Sequence, residues 1–360
     1  MILKKEDQIK IFVVIRRDGA FISEYKKHFH VLVIKPKDYG HEKNMIIRIK
    51  NIFVSKAKIV NLIFKATQAD AIFSNTVVNG MLLKILSPFR KKIITYVHEL
   101  ENVIEQYMAS GDSAQTLKLS SSFAYPSLKV KETLKNKYGI LESKLVYLPY
   151  YFPVDLNVIN DAVEKLKFKE LFKQKFGITA NFVVGNIGVL CKRKGTDFFI
   201  EVCERVAVQN PDIQFCWVGS FENAEIENEL RKMIAEKKLS GSIILTGPLQ
   251  HQYYNCSGFD LFFLSSREDP YPLVVLESAL MKVPSICFQE SGGITQFVEE
   301  DAGWIVPGFS LDEVVKKILL LYSNREQIAR KGENALKKVM ERHTNHAVIL
   351  NQFNELINRV

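Results

Sequence analysis

This chain of 360 residues has few cysteines, no long apolar run and no low-complexity or repeated segment. Its five cysteines, Cys191, Cys203, Cys216, Cys256 and Cys287, lie scattered in apolar stretches, odd in number and without C-x-x-C spacing. That excludes a disulfide framework and predicts small buried thiols in a reducing, cytoplasmic setting. The seven histidines give no metal signature. His343 and His346 stand close together, but no Cys or Glu partner is evident. No apolar run approaches the roughly 20 residues of a membrane span. The start, MILKKEDQIKIFVVIRRDG, has only a short apolar stretch and no small-residue cleavage site.

What is present suits two globular domains. The length exceeds one typical domain, and 47% apolar with 25% charged residues is ordinary for a globular protein. The charge is unevenly placed. Residues 1–150 carry 25 Lys and Arg against 13 Asp and Glu, and the remainder carries 24 against 27, so the net +9 belongs to the first half. An anionic partner on that half fits, whether nucleic acid, an anionic membrane or a lipid pyrophosphate; so does a merely Lys-rich composition. Nucleic acid is disfavoured because the basic residues are spread over several helices without aromatic interleaving.

Apolar runs of strand length alternate with amphipathic stretches. The predicted strands are Ile9–Ile15, His30–Ile34, Ala71–Ser74, Lys92–Val97, Phe123–Ala124 and Lys144–Leu148, then Phe182–Gly188, Gln214–Gly219, Ser242–Thr246, Leu261–Leu264 and Ser285–Phe288. Continuous apolar strands separated by helices mean parallel sheets covered on both faces. The fold class is therefore α/β, with two Rossmann-like doubly wound domains facing a central cleft. The first spans residues 1–150 and the second residues 151–345. Prolines and lost periodicity mark Pro149–Asp161 as the linker, the helix Ala162–Phe176 follows it, and an amphipathic tail helix covers His346–Val360.

The densest chemistry lies in residues 259–306. A predicted strand leads through Glu268 and Asp269, stiffened by Pro270 and Pro272, into a helix opening on Glu277. A second strand then leads to Gly292-Gly293-Ile294-Thr295 and another helix. A Glu among Val and Leu is expensive to bury unless donors bind it, and ribose hydroxyls are such donors; a helix-terminal Glu favoured by the dipole is the plainer alternative. The Gly-Gly amides suit a phosphate or the sugar held by the first carboxylate. Upstream, Val183–Gly195 is a strand and tight loop in which Gly188 bends the chain and Arg193, Lys194 and Gly195 can face a diphosphate, a solvated basic turn being the plainer alternative, with Thr196 and Asp197 capping the next helix. A charge-assisted phosphate contact contributes roughly 1.5–3 kcal/mol. In the first half, His98-Glu99 ends a strand at the expected cleft and could meet a sugar hydroxyl, and Ser74-Asn75-Thr76 could line an acceptor. Met45–Lys65 interleaves Arg48, Lys50, Lys56, Lys58 and Lys65 with apolar residues. That pattern fits a membrane-surface helix or a helix with a solvated basic face.

Together these residues resemble retaining glycosyltransferases of family 4 (glycosyl transferases group 1), closely over about 180–345 and more weakly over 1–150. The resemblance implies GT-B architecture, with a nucleotide-sugar donor in the second domain and an acceptor in the first. It assigns the donor diphosphate to Arg193 and Lys194 and the ribose to Glu277. The donor sugar falls to Asp269 or the adjacent Glu268, a phosphate loop to Gly292 and Gly293, and a sugar contact from the first domain to His98. Val189 stands where the family's arginine follows the strand glycine, and Thr295-Gln296 where it has Pro-Glu.

The resemblance also implies that Ile9–Ile15 and Arg17-Asp18-Gly19 form the family's second strand-helix unit. The first domain then lacks its first unit, with Met1–Asp7 as a possible remnant. It further implies that the tail helix packs back on the first domain. No cofactor is expected beyond the nucleoside-diphosphate sugar substrate. No D-x-D triplet is present, so metal-assisted departure of the diphosphate is not implied. The acceptor is expected to be a glycan or polyprenyl-linked glycan of cell-surface polysaccharide synthesis, with the protein cytoplasmic or peripheral at the inner membrane face. Two other classes fit the same residues: a catalytically impaired GT-B protein that binds a nucleotide-sugar or partners a transferase, and a nucleotide-sugar epimerase. The base, sugar and acceptor would be chosen by loops such as Leu245–Gln250 and Glu99–Thr116.

Overall fold

The computed structural model describes residues 10–16, 22–34, 45–154, 162–249 and 253–358. Ile9, Met1–Asp7, the Arg17-Asp18-Gly19 turn, Gln250, most of the predicted linker and the last two residues lie outside these, as do the side chains of Arg48, Lys50 and Lys56. Two α/β domains face each other, each built on parallel strands.

In the first domain β1 (Phe12–Ile15) pairs with β2 (His30–Val33). Separately, β3 (Ala71–Ser74), β4 (Lys92–Tyr96), β5 (Ser122–Tyr125) and β6 (Leu145–Tyr147) form a four-stranded sheet in that order. Among the described residues no backbone pairing joins β1 to β3. The two sheets instead share a small apolar cluster, in which Val14, Leu32 and Ile72 surround Leu62 and Ala66 of the helix Met45–Gln68. Two basic residues of that helix point inward: Lys58 donates to the Val33 carbonyl at 2.9 Å, and the Lys65 ammonium lies 5.6 Å from the Phe12 ring centre. Its exposed described positions include Val60 at 65% and Phe64 at 56% exposure beside the polar, uncharged Asn61, Thr67 and Gln68.

The second domain is one six-stranded sheet of β7 (Phe182–Ile187), β8 (Ile213–Val218), β9 (Ile243–Leu245), β10 (Leu261–Leu264), β11 (Ser285–Phe288) and β12 (Gly303–Val306), in the order β12-β11-β10-β7-β8-β9. The eleven strands read from the sequence are all present, with ends shifted by a residue or so where both ends are described; β12 is additional. Alternate residues of β10 enter opposite cores. Leu261 and Phe263 pack with Phe199, Phe215 and Ile286 on one face, while Phe262 and Leu264 pack with Val183, Leu276 and Phe297 on the other. Both faces are covered, which is why the strands read as unbroken apolar runs.

From β7 the chain winds outward through β8 and β9, then returns to β10 on the other side. The order therefore reverses between β7 and β10. In an open α/β sheet that reversal leaves a crevice at the strands' carboxyl ends. The loops after β7 and β10 meet there.

The tail helix His346–Asn358 leaves the second domain. Its Phe353, Leu356 and Ile357 pack with Ile94, Tyr96, Ala124, Val146 and Leu148 of the first. Among the described residues no helix is long and apolar enough to cross a membrane.

Candidate active site

The turn after β7, Lys192–Lys194, ends at Gly195, whose φ of 67° is left-handed. A Cβ at Gly195 would collide with the carbonyl oxygen of Ser265, so only glycine lets this turn lie against the strand end of β10. Gly188, where the loop begins, accepts the Trp217 indole N–H at 2.8 Å.

Three successive residues after β10 grip three successive residues of the turn, each pair 75 positions apart. Arg267 Nη1 donates to the Lys192 carbonyl at 2.7 Å. Arg193 Nη1 donates to the Glu268 carbonyl at 3.0 Å. Lys194 Nζ pairs with the Asp269 carboxylate. Asp269 is 6% exposed, and Lys194 is its ion-pair partner.

The two adjacent carboxylates thus divide: Asp269 faces the cationic turn, whereas the Glu268 carboxylate accepts from Asn102 of the first domain. Neither Thr196 nor Asp197 caps the following helix by side chain, as the sequence had suggested. Gly195 occupies that position, Thr196 Oγ1 bonds the backbone of Cys191, and Asp197 binds Arg267.

Glu277 is the fifth residue of the helix Leu273–Leu280, not its opening residue, so the helix-terminus explanation falls away. It is half-buried, and burial pushes its carboxyl up to about 7. No protein donor to it is found among the described residues. An acceptor held in apolar surroundings without a donor is suited to ligand hydroxyls.

The Gly-Gly loop is less free than the sequence suggested. Asp269 and Gly292 form a backbone bridge. Asp269 N–H donates to the Ser291 carbonyl at 2.7 Å, and Gly293 N–H donates to the Asp269 carbonyl at 3.2 Å. The Gly293 amide is therefore occupied; that of Ile294 has no acceptor among the described residues. A Cβ at Gly293 would strike the Pro270 carbonyl and the Ser127 side chain. Gly293 is needed because the first domain touches the second here. Ser127 Oγ donates to the Pro270 carbonyl at 2.9 Å, and the Leu128 amide donates to Gln296 Oε1 at 2.7 Å.

From the first domain, His98 is half-buried beyond the end of β4, with Nε2 3.6 Å from Glu99. Glu99, 9% exposed, accepts from the hydroxyl of Thr76 and from the amides of Val77 at 3.3 Å and His98 at 3.1 Å. It thereby fixes His98 and the Ser74-Asn75-Thr76 loop together. Arg16, beyond β1, reaches the same loop at Asn79 Oδ1, 3.3 Å away. Tyr150 stands between the halves. Burial, with the Glu99 and then the Asp269 charge nearby, drives its hydroxyl pKa well upward. Ring neighbours run from His343 through Tyr271, Tyr150 and Tyr96 to His98, at centroid spacings of 5.6, 5.9, 5.7 and 5.6 Å.

The roles of Arg267, Glu99, Tyr150 and Asn102 escaped sequence reading, because each depends on a partner remote in the chain. Among the described residues no group of three or more His, Cys, Asp or Glu side chains could hold a metal ion. A hollow of about 200 Å³ lined by Lys165, Lys169, Asp260 and Lys282 lies at the opposite, amino-terminal ends of β10 and β11 and includes none of these residues.

Residues 168–338 match the family model described as glycosyl transferases group 1. The poly(ribitol-phosphate) alpha-N-acetylglucosaminyltransferase of Staphylococcus aureus is 25% identical over 176 residues, 48% of this chain and 35% of that protein. The Staphylococcus aureus capsular polysaccharide biosynthesis glycosyltransferase CapM is 20% identical over 349 residues, covering 95% of this chain and 83% of that one. The chain spans only 35%, 43% and 45% of the length of the first three curated relatives it matches. In fold, it superposes on the Anabaena protein HepE, solved with UDP and glucose, at a TM-score of 0.81 and 18% identity over 100% of this chain and 94% of that one. A glycosyltransferase from Rickettsia africae gives 0.76 at 18% identity, over 99% and 93%. This chain thus resembles the glycosyl transferases group 1, with its match to that family in the second domain and a two-domain GT-B fold over its whole length.

Proposed function

We propose that this protein is a glycosyltransferase that moves a sugar from a nucleoside-diphosphate donor to a glycan or lipid-linked glycan in polysaccharide synthesis. One observation carries the reading. At the reversal point of the second sheet, Arg193 and Lys194 of the turn after β7 meet the loop after β10 with its buried Asp269, and the helix that follows that loop carries the undonated, half-buried Glu277. Lys194 and Arg193 suit the charge that grows on a departing diphosphate, where fixed cations stabilise the transition state. Glu277 suits the ribose hydroxyls. Asp269 suits the hydroxyls of the transferred sugar, and His98, held by Glu99, meets that sugar from the first domain. Gly188, Gly195, Gly292, Gly293 and Ile294 shape the backbone around the phosphates. Transfer would proceed without metal and with retention, through a front-face displacement with oxocarbenium character. The relatives named as a poly(ribitol-phosphate) alpha-N-acetylglucosaminyltransferase and a capsular polysaccharide biosynthesis glycosyltransferase support this acceptor class, and HepE, solved with UDP and glucose, supports a uridine donor. An acceptor at the inner membrane face suits the basic first half and the exposed Val60 and Phe64.

A second reading is favoured by the separation of β1–β2 from β3–β6. The central strand of a doubly wound sheet would stand between them, and its following loop would face the donor. Among the described residues no strand fills that place, and a protein with none there would bind a nucleotide-sugar and turn it over poorly. A thermal-shift and hydrolysis screen against UDP-, GDP- and dTDP-sugars, with Lys194→Ala as control, separates the readings. Stabilisation by one nucleotide with slow sugar release supports the transferase. Stabilisation without turnover, even with membrane extract as acceptor, supports the binding form. No stabilisation sinks both.

A further inference from the structure

We propose that Arg267 is the positioning residue of the cationic turn, holding Lys192–Lys194 in place while Arg193 and Lys194 change partners. The inference rests on the diphosphate reading above.

Of the three pairings between the turn and the loop after β10, two use groups that the diphosphate would claim. Arg193 would leave the Glu268 carbonyl, and Lys194 would leave Asp269. The third uses groups with no such alternative. Arg267 grips Asp197 with both guanidinium ends, at 2.7 and 2.6 Å, and the same Nη1 reaches the Lys192 carbonyl. Its own amide donates to the Arg193 carbonyl at 2.9 Å. Its guanidinium lies 3.7 Å from the centre of the Phe198 ring. The turn is therefore held by side chain and backbone of one residue, at bonds that survive the exchange.

The fork matters more than the charge. A planar guanidinium matches a carboxylate at two points and stacks on an aromatic face; an ammonium does neither together. Asp197, in the first turn of the helix Thr196–Gln209, is itself favoured there by the helix dipole. The clamp thus ties the turn to a helix whose Phe199, Cys203 and Val206 are buried in the core. The ligand's cations then move on a fixed base instead of with a loose loop.

The test uses the full chain and the Arg267→Ala, Arg267→Lys and Asp197→Asn variants. Affinities for uridine and for UDP are measured by calorimetry, alongside thermal melting. The expected result is a roughly tenfold or greater loss of diphosphate affinity in all three, with nucleoside affinity unchanged. Arg267→Lys should fail as Arg267→Ala does, because geometry and not charge is lost. Asp197→Asn keeps Arg267 and its packing, so it reports even if an Arg267 variant folds poorly. The inference is overturned if Arg267→Lys binds diphosphate like the wild type, which would mean direct charge contact, or if nucleoside and diphosphate affinities fall in parallel, which would mean general damage. If the wild type binds no nucleoside diphosphate, the diphosphate reading fails and this inference with it. If the wild type binds and the variants bind equally well, only this inference fails.

Discussion

Lys194 and Asp269 form an ion pair across two loops, with the carboxylate almost wholly buried. A diphosphate that recruits Lys194 would leave Asp269 buried without a counter-ion, which is costly unless new donors arrive. Sugar hydroxyls are such donors. Asp269→Asn should therefore bind a bare nucleoside diphosphate more tightly, by about tenfold, while losing sugar transfer. Calorimetry with the diphosphate and with the nucleotide-sugar checks this. Unchanged or weaker diphosphate binding in Asp269→Asn would refute the exchange.

Glu277 supplies a pH dependence. Its carboxyl titrates at about 7 because burial disfavours the charge. Ribose hydroxyls favour the ionised form, so nucleotide affinity should fall by up to about tenfold per pH unit below 7. Glu277→Gln should flatten that profile and bind weakly throughout. Stability carries the opposite slope. The folded state holds this proton more tightly than the unfolded chain, so its contribution is present at low pH and is lost as pH rises through about 7. Melting temperatures of wild type and Glu277→Gln between pH 5 and 8 should converge at the acid end.

His343 behaves in the reverse sense. Its Nδ1 faces the Tyr150 carbonyl at 2.9 Å and so must carry the proton, which leaves Nε2 to accept from the Tyr271 hydroxyl at 3.0 Å. Burial chiefly lowers its pKa to about 4. The unfolded chain binds this proton more readily, so stability should drop as pH falls from about 6.5 towards 4, by at most about 3 kcal/mol. His343→Gln should abolish that acid-side loss. An identical acid profile in the variant would place the loss elsewhere.

Gly293→Ala should hinder the approach of Ser127 to Pro270. A methyl group there has no room, and forced contacts of this kind cost roughly 1–3 kcal/mol. Turnover should fall more than nucleotide affinity does, since Glu277, Arg193 and Lys194 stay in place. Parallel losses of both would mean that the whole loop had moved.

The strands were legible because both faces of the sheet are covered, so Phe182–Ile187 and Leu261–Leu264 read as continuous apolar runs. β12 escaped because Gly303–Val306 is short and follows an acidic turn. Arg193, Lys194 and Glu277 stood out by type and spacing. The pairings that hold the site did not: nothing local ties Arg267 to Asp197, Glu99 to Thr76 or Asn102 to Glu268, since each pair forms only when separate elements come together. The same holds for two of the basic residues of Met45–Gln68. Lys58 and Lys65 turn towards β2 and β1, a direction that composition does not encode.

The tail helix makes the chain cross between its two halves a second time. Leu356 is fully buried against Ile94 and Val146, although more than two hundred residues separate it from them. A chimaera that takes its donor half from a relative must therefore be spliced at two points. The segment His346–Asn358 has to be inherited with the acceptor half. A single crossover would pair a native sheet with a foreign helix and leave the Ile94 surface without its matching side chains.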